Sequence, residues 1–532
     1  MQRLDDVRRA LAEGRAQDAW LAARNLLAKH GRDADVLSLA GVAAFQIEDV
    51  EQAQALLADA VALAPNDPDI HMNLGNVLGA SGDRDAAFDA YQAAHDLATD
   101  YAEPAFNAGV LLASAGDFIN AAVWFQSALA RDAEHVAAAI GLGDALMNAG
   151  NLQESMRVLE ALVVSRPDDP IAHTNLAATF SALGEDAKAK DAASRAVALD
   201  PGLAAAHYNL GVAEQALGDD AQAVTRFRQT LALEPSNAAA ALNLGEAYIR
   251  LDDLAGARAA FERALDIDPG FAMAAVNLAD LDLDDNRPLD ALGIIDKFLS
   301  RNPGQPNALA FKAFALRDMG EVPKALELDS TERFISDNFI EAPERYKDID
   351  AFNTALAVHV LEHPSLTFAP KAHATVAGLH SGELLGGNLG PIADFRDIVL
   401  ARFHAYRRQF IGEPAHAFLD QCPDDVHVSI WGVVMREAGH QVPHIHPAAW
   451  LSGVYYVDVP ESIREDDPAH QGWLEFGQPP RDIHAKHVPD VKLIRPIEGR
   501  MILFPSYFYH RTIPLRAENQ RISIAFDLFP SK

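Results

Sequence analysis

The chain has 532 residues, 49% of them apolar, so it is long enough to form several domains with buried cores. Its formal net charge of −32 argues against a nucleic-acid backbone or an anionic membrane surface as a partner. The single cysteine, Cys422, excludes an intrachain disulfide.

The N-terminal stretch MQRLDDVRRALAEGR is polar and lacks the apolar segment of a signal peptide. No run of 18 uncharged apolar residues follows, so we expect a soluble cytoplasmic protein without membrane association. Up to residue 330 the chain has 25 Lys and Arg against 50 Asp and Glu. Such acidity is typical of a solvated helical surface or of an acidic groove for a basic partner.

A 34-residue period fills the first 330 residues. An Asn-Leu-Gly motif or a close variant recurs at intervals of 34 or 68 residues, at Asn73, Asn107, Asn175, Asn209, Asn243 and Asn277. Each motif has Gly or Ala two residues after its Asn position, and in most units an alanine follows twelve residues after that small residue. Prolines such as Pro201 and Pro235 end successive units. The period predicts units of two antiparallel helices that stack into a solenoid.

The unit 204-AAAHYNLGVAEQALGDDAQAVTRFRQTLALEP-235 resembles the tetratricopeptide repeat, and the resemblance covers about residues 1–330 in nine to ten units. It implies an all-α solenoid whose concave groove binds a protein or peptide. The six repeated asparagines would be peptide-binding residues in that groove, because an amide side chain offers one acceptor and two donors. The alternative is that each asparagine bonds the neighbouring helix.

The pattern changes after residue 330. We predict helices at about 346–362 and at 391–412, with a Gly-rich loop at 377–390 between them. Runs of β-branched and aromatic residues between Gly and Pro then predict strands at 426–435, 450–459, 491–496, 500–506 and 521–529. The predicted domains are therefore the solenoid at 1–330, a helical linker and support region at 331–424, and a β-core at 425–532.

Two histidines stand at the start of an apolar strand in 444-HIHPAAWLSGVYYV-457. His444 and His446 would point to one side of a strand, where two imidazoles are costly to bury without a partner such as a metal. His510 follows another predicted strand. An Fe(II) that must bind a bidentate oxoacid and dioxygen needs three protein ligands on one face. Arg521 could grip the far carboxylate of that oxoacid, and Ser523 shares its strand face.

The region 340–530 resembles the 2-oxoglutarate/Fe(II)-dependent oxygenases. The resemblance is carried by 431-WGVVMREAGHQVPHIHPAAWLSGVYYVDVP-460, 472-GWLEFG-477, 496-PIEGRMILFPSYFYHRTIP-514 and 521-RISIAFDLFP-530. It implies a multidomain chain in which the solenoid is followed by an α+β domain with a double-stranded β-helix (jelly-roll) core.

The same resemblance implies that His444, His446 and His510 are the catalytic metal ligands for Fe(II). It also implies that Arg521 and Ser523 bind 2-oxoglutarate, with Tyr455 within reach of it. The family usually has His-x-Asp/Glu where this chain has His-x-His. That departure leaves other ligands open, and these are His440, Asp458 and Glu475.

The implied activity is that of a 2-oxoglutarate/Fe(II)-dependent dioxygenase that hydroxylates a protein or peptide recruited by the solenoid. Two alternatives are a non-catalytic scaffold or adaptor with a ligand-binding β-domain, and an oxygenase that acts on a small molecule. The sequence does not name the substrate, and it leaves the oligomeric state open, a homo-oligomer included. Ten other histidines, among them His373, His484 and His487, are expected at the surface or in satisfied core positions.

Overall fold

A computed structural model describes residues 2–30, 33–369, 374–413, 415–516 and 520–531, so His373 lies outside the described residues. The chain divides into two compact units, Met1–Glu234 and Pro235–Lys532. No helix within the described ranges has the length and apolar character needed to cross a membrane.

The first unit consists of consecutive helix pairs joined by short turns, as the 34-residue period predicts. Its helices are α1 Gln2–Ala12, α2 Ala16–His30, α3 Ala34–Gln46, α4 Val50–Leu63, α5 Pro68–Ser81, α6 Arg84–Leu97, α7 Glu103–Ser114, α8 Phe118–Arg131, α9 Val136–Asn148, α10 Leu152–Ser165, α11 Pro170–Ala182, α12 Asp186–Leu199, α13 Ala204–Ala216 and α14 Asp220–Leu233. Gly82 ends α5 in the left-handed conformation, which a residue without a Cβ adopts at no steric cost.

In five of the seven helix pairs, a glycine on the first helix contacts a larger residue sixteen positions later on the second helix. A Cβ added to Gly75 would lie 2.6 Å from the Tyr91 ring, so the ring occupies the space that the missing side chain leaves. Gly109 faces Phe125, Gly143 faces Leu159 and Gly211 faces Phe227 in the same way. Where the first helix has Ala177, the residue sixteen positions later is Ala193, and both are buried. The predicted tetratricopeptide solenoid is confirmed.

The second unit begins with three more helix pairs. These are α15 Ala238–Arg250, α16 Leu254–Ile267, α17 Ala272–Asp284, α18 Pro288–Leu299, α19 Pro306–Asp318 and α20 Val322–Asp329. Arg317 at the end of α19 makes a bidentate ion pair with Asp329 at the end of α20, at 2.7 and 2.9 Å, and both residues are 8% exposed. This buried pair joins the last two helices of the array.

Two longer helices then cover the β-core. The short helix α21 Thr331–Phe334 is followed by α22 Ile349–Leu361 and α23 Ile392–Gln409, which agree with the helices predicted at 346–362 and 391–412. Buried residues of both helices, such as Phe352 and Phe395, belong to the large apolar core that they share with the sheet.

The β-core is a curled antiparallel sheet, which confirms the predicted jelly-roll class of fold. Its strands are β1 Ser336–Phe339, β2 Thr367–Phe368, β3 Thr375–His380, β4 Val426–His444, β5 Leu451–Asp458, β6 Leu474–Phe476, β7 Lys492–Ile494, β8 Arg500–Pro505, β9 His510–Thr512 and β10 Arg521–Pro530. The strand order is β1-β8-β5-β10-β4-β9-β6-β7, and β3 also pairs with β4. β3 therefore occupies the start of the stretch predicted as a Gly-rich loop.

The last strand, β10, has two chemically different faces. Ile522, Ile524, Phe526 and Leu528 are buried in the large core that contains the covering helices. The alternate positions are Arg521, Ser523, Ala525 and Asp527, and these point to the other side, as side chains in a strand must. There a smaller apolar cluster of Val433, Met435, Ile463 and Leu515 lines the interior of the barrel. Polar side chains on β10 are thus directed into the barrel.

Candidate metal centre

The long strand β4 brings the three predicted histidines together by changing its partner. Its first part pairs with β10, and its end pairs with β9, where His444 lies directly opposite His510. His446 follows two residues later, and its backbone N–H donates to the Ser506 carbonyl at 2.9 Å. The ring centroids are 4.2 Å apart for His444 and His510, 5.1 Å for His444 and His446, and 5.2 Å for His446 and His510.

One ring nitrogen of each of these histidines lies within 4.8 Å of the others, close enough to hold one metal ion. Nδ1 of His444 donates to the Val442 carbonyl at 2.8 Å, and Nδ1 of His510 donates to the Phe508 carbonyl at 2.9 Å. Nδ1 of His446 donates to Oδ2 of Asp527 at 2.9 Å. Because these oxygens only accept, each Nε2 keeps its lone pair for a metal.

The environment keeps two of these imidazoles, His444 and His510, neutral. Burial is the main cause that lowers the pKa of His444 to about 4, and repulsion from the neighbouring His446 adds to it. Burial is also the main cause that lowers the pKa of His510 well below its usual value, and repulsion from His444 and His446 adds to it. Metal ions bind the neutral ring, so His444 and His510 have the required protonation state near pH 7. Three imidazole donors fit Fe(II), Zn(II) and similar ions better than Mg(II) or Ca(II).

Asp527 was missed in the sequence analysis. Its Oδ1 accepts a hydrogen bond from the Ser452 hydroxyl at 2.6 Å, and its Oδ2 accepts one from His446. Asp527 is 7% exposed. It has the same strand parity as Arg521 and Ser523, and this alternation was the available sequence signal.

Arg521 is a buried cation without a carboxylate partner among the described residues. It is 2% exposed, Nη1 donates to the Gly472 carbonyl at 2.6 Å, and Nη2 is 3.0 Å from the Met435 sulfur. Its Cζ lies 5.7 Å from the Tyr456 ring centroid, and its Nε has no hydrogen-bond partner. Burial lowers the pKa of Arg521. A guanidinium buried without a counter-ion is costly, so this position is suited to an anion.

Ser523 lies in the barrel interior with Arg521, but Tyr455 does not. Ser523 is paired with Val433 on one side and with Tyr456 on the other, so its side chain points into the barrel. The Tyr455 hydroxyl instead donates to Oδ1 of Asn353 at 2.5 Å, within the helix-covered core. The sequence-based placement of Tyr455 near the oxoacid is therefore corrected, because strand alternation directs Tyr456 to that side.

The alternative ligands also lie away from the cluster. Nδ1 of His440 donates to the Ala438 carbonyl at 3.0 Å, and His440 pairs with Val376 of β3. Glu475 accepts two hydrogen bonds from Arg511, at 2.6 and 3.0 Å. Asp458 is opposite Ile522 at the end of β5. Within the described ranges, the three histidines are therefore the group whose geometry could hold a metal ion.

A cleft of about 250 Å³ opens next to the histidines. His444 and His446 contribute to its wall, together with Trp431, His380 and Gln441. The Trp431 ring stacks on His446 at a centroid distance of 6.0 Å. The cleft could therefore admit a substrate group beside the metal position, between aromatic and polar walls.

The repeated asparagines are half-buried, and four of them donate to the preceding repeat. Their acceptors are Ser38 Oγ for Asn73 at 3.4 Å, Asn76 Oδ1 for Asn107 at 3.0 Å, Asp144 Oδ1 for Asn175 at 2.7 Å and the Thr174 carbonyl for Asn209 at 2.9 Å. These bonds correspond to the helix-bonding alternative. A peptide-binding role for the six asparagines stays a prediction.

The comparisons with known proteins find the same two parts. Residues 429–527 match the family model described as "Putative 2OG-Fe(II) oxygenase", and residues 41–102, 112–179 and 208–270 match tetratricopeptide repeat models. The chain thus carries tetratricopeptide repeats in its N-terminal region and a 2OG-Fe(II) oxygenase-family domain at 429–527. No curated protein matches the chain.

Three solved structures are among those that match the chain. A chain of the APC/C hetero-tetramer Cut9-Hcn1 is 19% identical with a TM-score of 0.40, and the match covers 56% of this chain and 58% of that one. A thermophilic TPR protein from Thermus thermophilus is 23% identical with a TM-score of 0.32, and the match covers 34% of this chain and 100% of that one. MamA from Desulfovibrio magneticus is 25% identical with a TM-score of 0.30, and the match covers 32% and 96%.

Proposed function

We propose that the protein is a 2-oxoglutarate- and Fe(II)-dependent oxygenase that hydroxylates a protein or peptide recruited by its repeats. The observation that carries this proposal is the buried Arg521 guanidinium, which has no carboxylate partner within the described ranges and lies in the same barrel as the three-histidine cluster. An oxoacid that binds a metal at one end needs a cationic partner at its other end.

The donor set fits both cofactors. His444, His446 and His510 would hold Fe(II) through Nε2, while Arg521 and Ser523 would hold the far carboxylate of 2-oxoglutarate. With dioxygen as co-substrate, the bound pair would supply an oxidant that inserts one oxygen atom into a C–H bond, while the other oxygen atom enters the succinate formed, with release of CO2, from 2-oxoglutarate.

The chain's own residues would orient the reactants and exclude water. Arg521 would neutralise the oxoacid carboxylate and fix its direction by a forked hydrogen bond. The apolar cluster of Val433, Met435, Ile463 and Leu515 would shield this contact from solvent and so strengthen it. The cleft beside Trp431 would receive the substrate side chain.

The test is an anaerobic titration of the full chain with Fe(II) and 2-oxoglutarate. We expect a weak charge-transfer band in the visible region, and succinate formation once oxygen is admitted. His510→Ala should lose bound iron. His440→Ala is the matched control, because His440 lies on the same strand outside the cluster, and it should keep its iron.

Three results would contradict the proposal. Absence of the band together with absence of succinate, in a chain that has bound Fe(II), would exclude the oxygenase reaction and favour the scaffold alternative. Full iron content in His510→Ala would remove His510 from the site. Hydroxylation of a small molecule, with none of any protein or peptide, would assign the repeats to another role.

A further inference from the structure

We propose that Asp527 is a positioning residue that gives the metal centre, through His446, the negative charge which its three neutral ligands lack. The inference rests on the proposed function, because it assumes that the histidine cluster holds a divalent ion. Three imidazoles leave the full charge of such an ion uncompensated inside the barrel, where charge is costly. Asp527 is the carboxylate that bonds directly to a member of the cluster.

The three histidines differ in what accepts their Nδ1 hydrogen. His444 and His510 donate to neutral backbone carbonyls two residues earlier in the chain. His446 alone donates to a carboxylate, at 2.9 Å. A carboxylate acceptor makes an imidazole more basic and so a stronger metal ligand than a carbonyl acceptor does. His446 is therefore the ligand whose donor strength the carboxylate would increase.

The position of Asp527 is fixed by its own contacts. Its other oxygen accepts the Ser452 hydroxyl at 2.6 Å, and Ser452 is opposite Asp527 in the β5–β10 pairing. Both residues lie in strands that pair along their length, so neither can turn away without breaking sheet contacts. No Lys or Arg forms an ion pair with Asp527 in the part of the chain that is described. Its charge is therefore available to the imidazole and the metal.

The first measurement compares Fe(II) dissociation constants of the full-length apo-protein by anaerobic titration. Asp527→Asn keeps the shape and an acceptor for His446 but removes the charge. It should bind Fe(II) about 10-fold more weakly, the lower end of the effect seen when such supporting partners are removed. Asp458→Asn is the matched control, because Asp458 is a partly buried carboxylate on β5 outside the cluster, and it should bind as the wild type does.

The second measurement repeats the change in a His446→Asp background. A carboxylate at position 446 would face Asp527 at short range, and like charges oppose each other's ionised form. Asp527→Asn should therefore strengthen Fe(II) binding in the His446→Asp chain, although it weakens binding in the wild type. A residue that only supports the fold would weaken binding in both backgrounds, so the change of sign identifies the role of the charge.

The outcomes separate this inference from the proposed function. Wild-type affinity in Asp527→Asn, or weaker binding in both backgrounds, overturns the role of Asp527 and leaves the oxygenase proposal intact. A wild-type chain that binds no Fe(II) overturns both. A third result is that Fe(II) binds and Asp527→Asn has opposite effects in the two backgrounds, but no succinate forms. It would support Asp527 as the positioning residue and overturn the proposed turnover.

Discussion

Arg521 carries a buried charge that has no carboxylate beside it among the residues that the structure describes. The Gly472 carbonyl and the Tyr456 ring offset part of the desolvation, but Nε has no acceptor. Such an arrangement is unfavourable in the ligand-free protein and becomes favourable when an anion binds. Arg521 therefore connects the stability of the barrel to occupancy of the oxoacid position.

Replacing Arg521 by methionine tests this connection. Arg521→Met should stabilise the ligand-free protein by about 1–4 kcal/mol, as replacement of uncompensated buried charge by apolar groups often does. It should also abolish the stabilisation that 2-oxoglutarate gives the wild type. Chemical denaturation with and without 2-oxoglutarate measures both effects. Arg500→Met is the control and should destabilise the protein, because Arg500 is paired with Asp337.

Oxoacid affinity gives an independent measurement at the same residue. Arg521→Ala should weaken 2-oxoglutarate binding by about 30-fold or more, since truncation of a buried charged contact costs roughly 2–5 kcal/mol. Arg521→Lys should recover only part of the affinity, because an ammonium lacks the fork. Iron affinity should be unchanged. An unaltered 2-oxoglutarate dissociation constant in Arg521→Ala would remove this residue from the oxoacid site.

Asp144 gives a prediction for the repeats. Burial raises the pKa of Asp144 to about 6, so the folded chain holds this proton more tightly than the unfolded chain does. Stability is therefore lost as the pH rises from the unfolded pKa near 3.8 through 6. Asp144→Asn should remove a penalty of at most about 3 kcal/mol at pH 7, at about 1.4 kcal/mol per pKa unit.

The gain in Asp144→Asn should disappear below about pH 3.5, where the carboxyl is largely protonated in both states. Urea unfolding of the fragment 1–234 at neutral pH and at that acidic pH measures the difference. Equal gains at both pH values would show that the effect does not come from ionisation. The Asn175 amide should keep an acceptor in the variant, because the introduced amide side chain would still offer a carbonyl oxygen.

At the scale of elements, β4 determines whether the histidines meet. The sequence predicted its first ten residues, because these alternate in a regular β pattern, and missed the continuation to His444. Ala438 has a positive φ of 63°, and the β3–β4 pairing shifts register between Val376, opposite His440, and Gly378, opposite Met435, so the period is interrupted there. The strands β6 and β9 have three residues each and are defined by their partners, which no local pattern reveals.

Site residues that lie close together in the sequence could be predicted, whereas those brought together by strand pairing could not. His444 and His446 share one strand face, and that spacing is visible in the sequence. Asp527 reaches His446 from 81 residues away, which only the pairing of β10 with β5 and β4 brings about. Tyr455 was misplaced because two consecutive tyrosines occupy opposite faces of β5, and sequence alone did not fix which face is internal.

Helix pairing in the solenoid predicts an unequal response to two glycine substitutions. A Cβ at Gly211 would lie 2.8 Å from the Phe227 ring, so Gly211→Ala should destabilise the first unit by about 1–3 kcal/mol. Phe227→Leu should reduce that cost. Gly79→Ala is the control, because its Cβ would meet only ordinary contacts at 3.7 Å or more, and helix propensity favours alanine by about 1 kcal/mol. Urea unfolding of fragment 1–234 compares them.

A loop of the β-core carries two histidines onto the last repeats. The His484 backbone N–H and Nδ1 donate to Asp280 on α17, at 2.9 and 2.6 Å. The His487 backbone N–H and Nδ1 donate to Asp318 on α19, at 2.7 and 3.0 Å. Both histidines are exposed, in agreement with the expectation of surface positions, and they also attach the loop to acidic side chains of the repeats.

Attachment of this loop should weaken as the pH rises. Burial lowers the pKa of His484, but the hydrogen bond and charge of Asp280, with Asp284 and Asp482, outweigh it and raise the pKa. The contribution is therefore complete below the ordinary histidine pKa and is lost as the pH passes through the raised value. Hydrogen exchange of 480–490, corrected for intrinsic rates, should show less protection at about pH 8.5 than at about pH 6. His484→Gln should remove most of that difference, and an unchanged pH dependence would contradict the assignment.

At the scale of the whole molecule, the last three helix pairs and the β-core form one compact unit. The proposed boundary at residue 330 would cut between residues that bond across it, such as Asp280 and His484. The fragment 235–532 should therefore unfold cooperatively and bind Fe(II) as tightly as the full chain. The fragment 331–532 should be less stable in thermal unfolding. Equal midpoints for the two fragments would support 330 as an independent domain boundary.

Removal of residues 1–234 separates recruitment from chemistry. The fragment 235–532 retains the histidine cluster and Arg521, so its uncoupled succinate formation should match that of the full chain. Hydroxylation of a protein or peptide substrate at low concentration should fall, because the repeats that would recruit it are absent. Equal hydroxylation by fragment and full chain at limiting substrate would assign recruitment to the second unit.

The match between the residues that face each other within a helix pair also governs how the array can change during evolution. Duplication or deletion of a whole 34-residue segment carries both members of a pair and preserves the contact between them. Exchange of single helices does not. If α11 replaced α13, Ala177 would crowd Phe227, and the reciprocal exchange would leave a gap between Gly211 and Ala193. The helix hairpin is therefore the unit that can be gained or lost in evolution. The array can change its length only by whole hairpins.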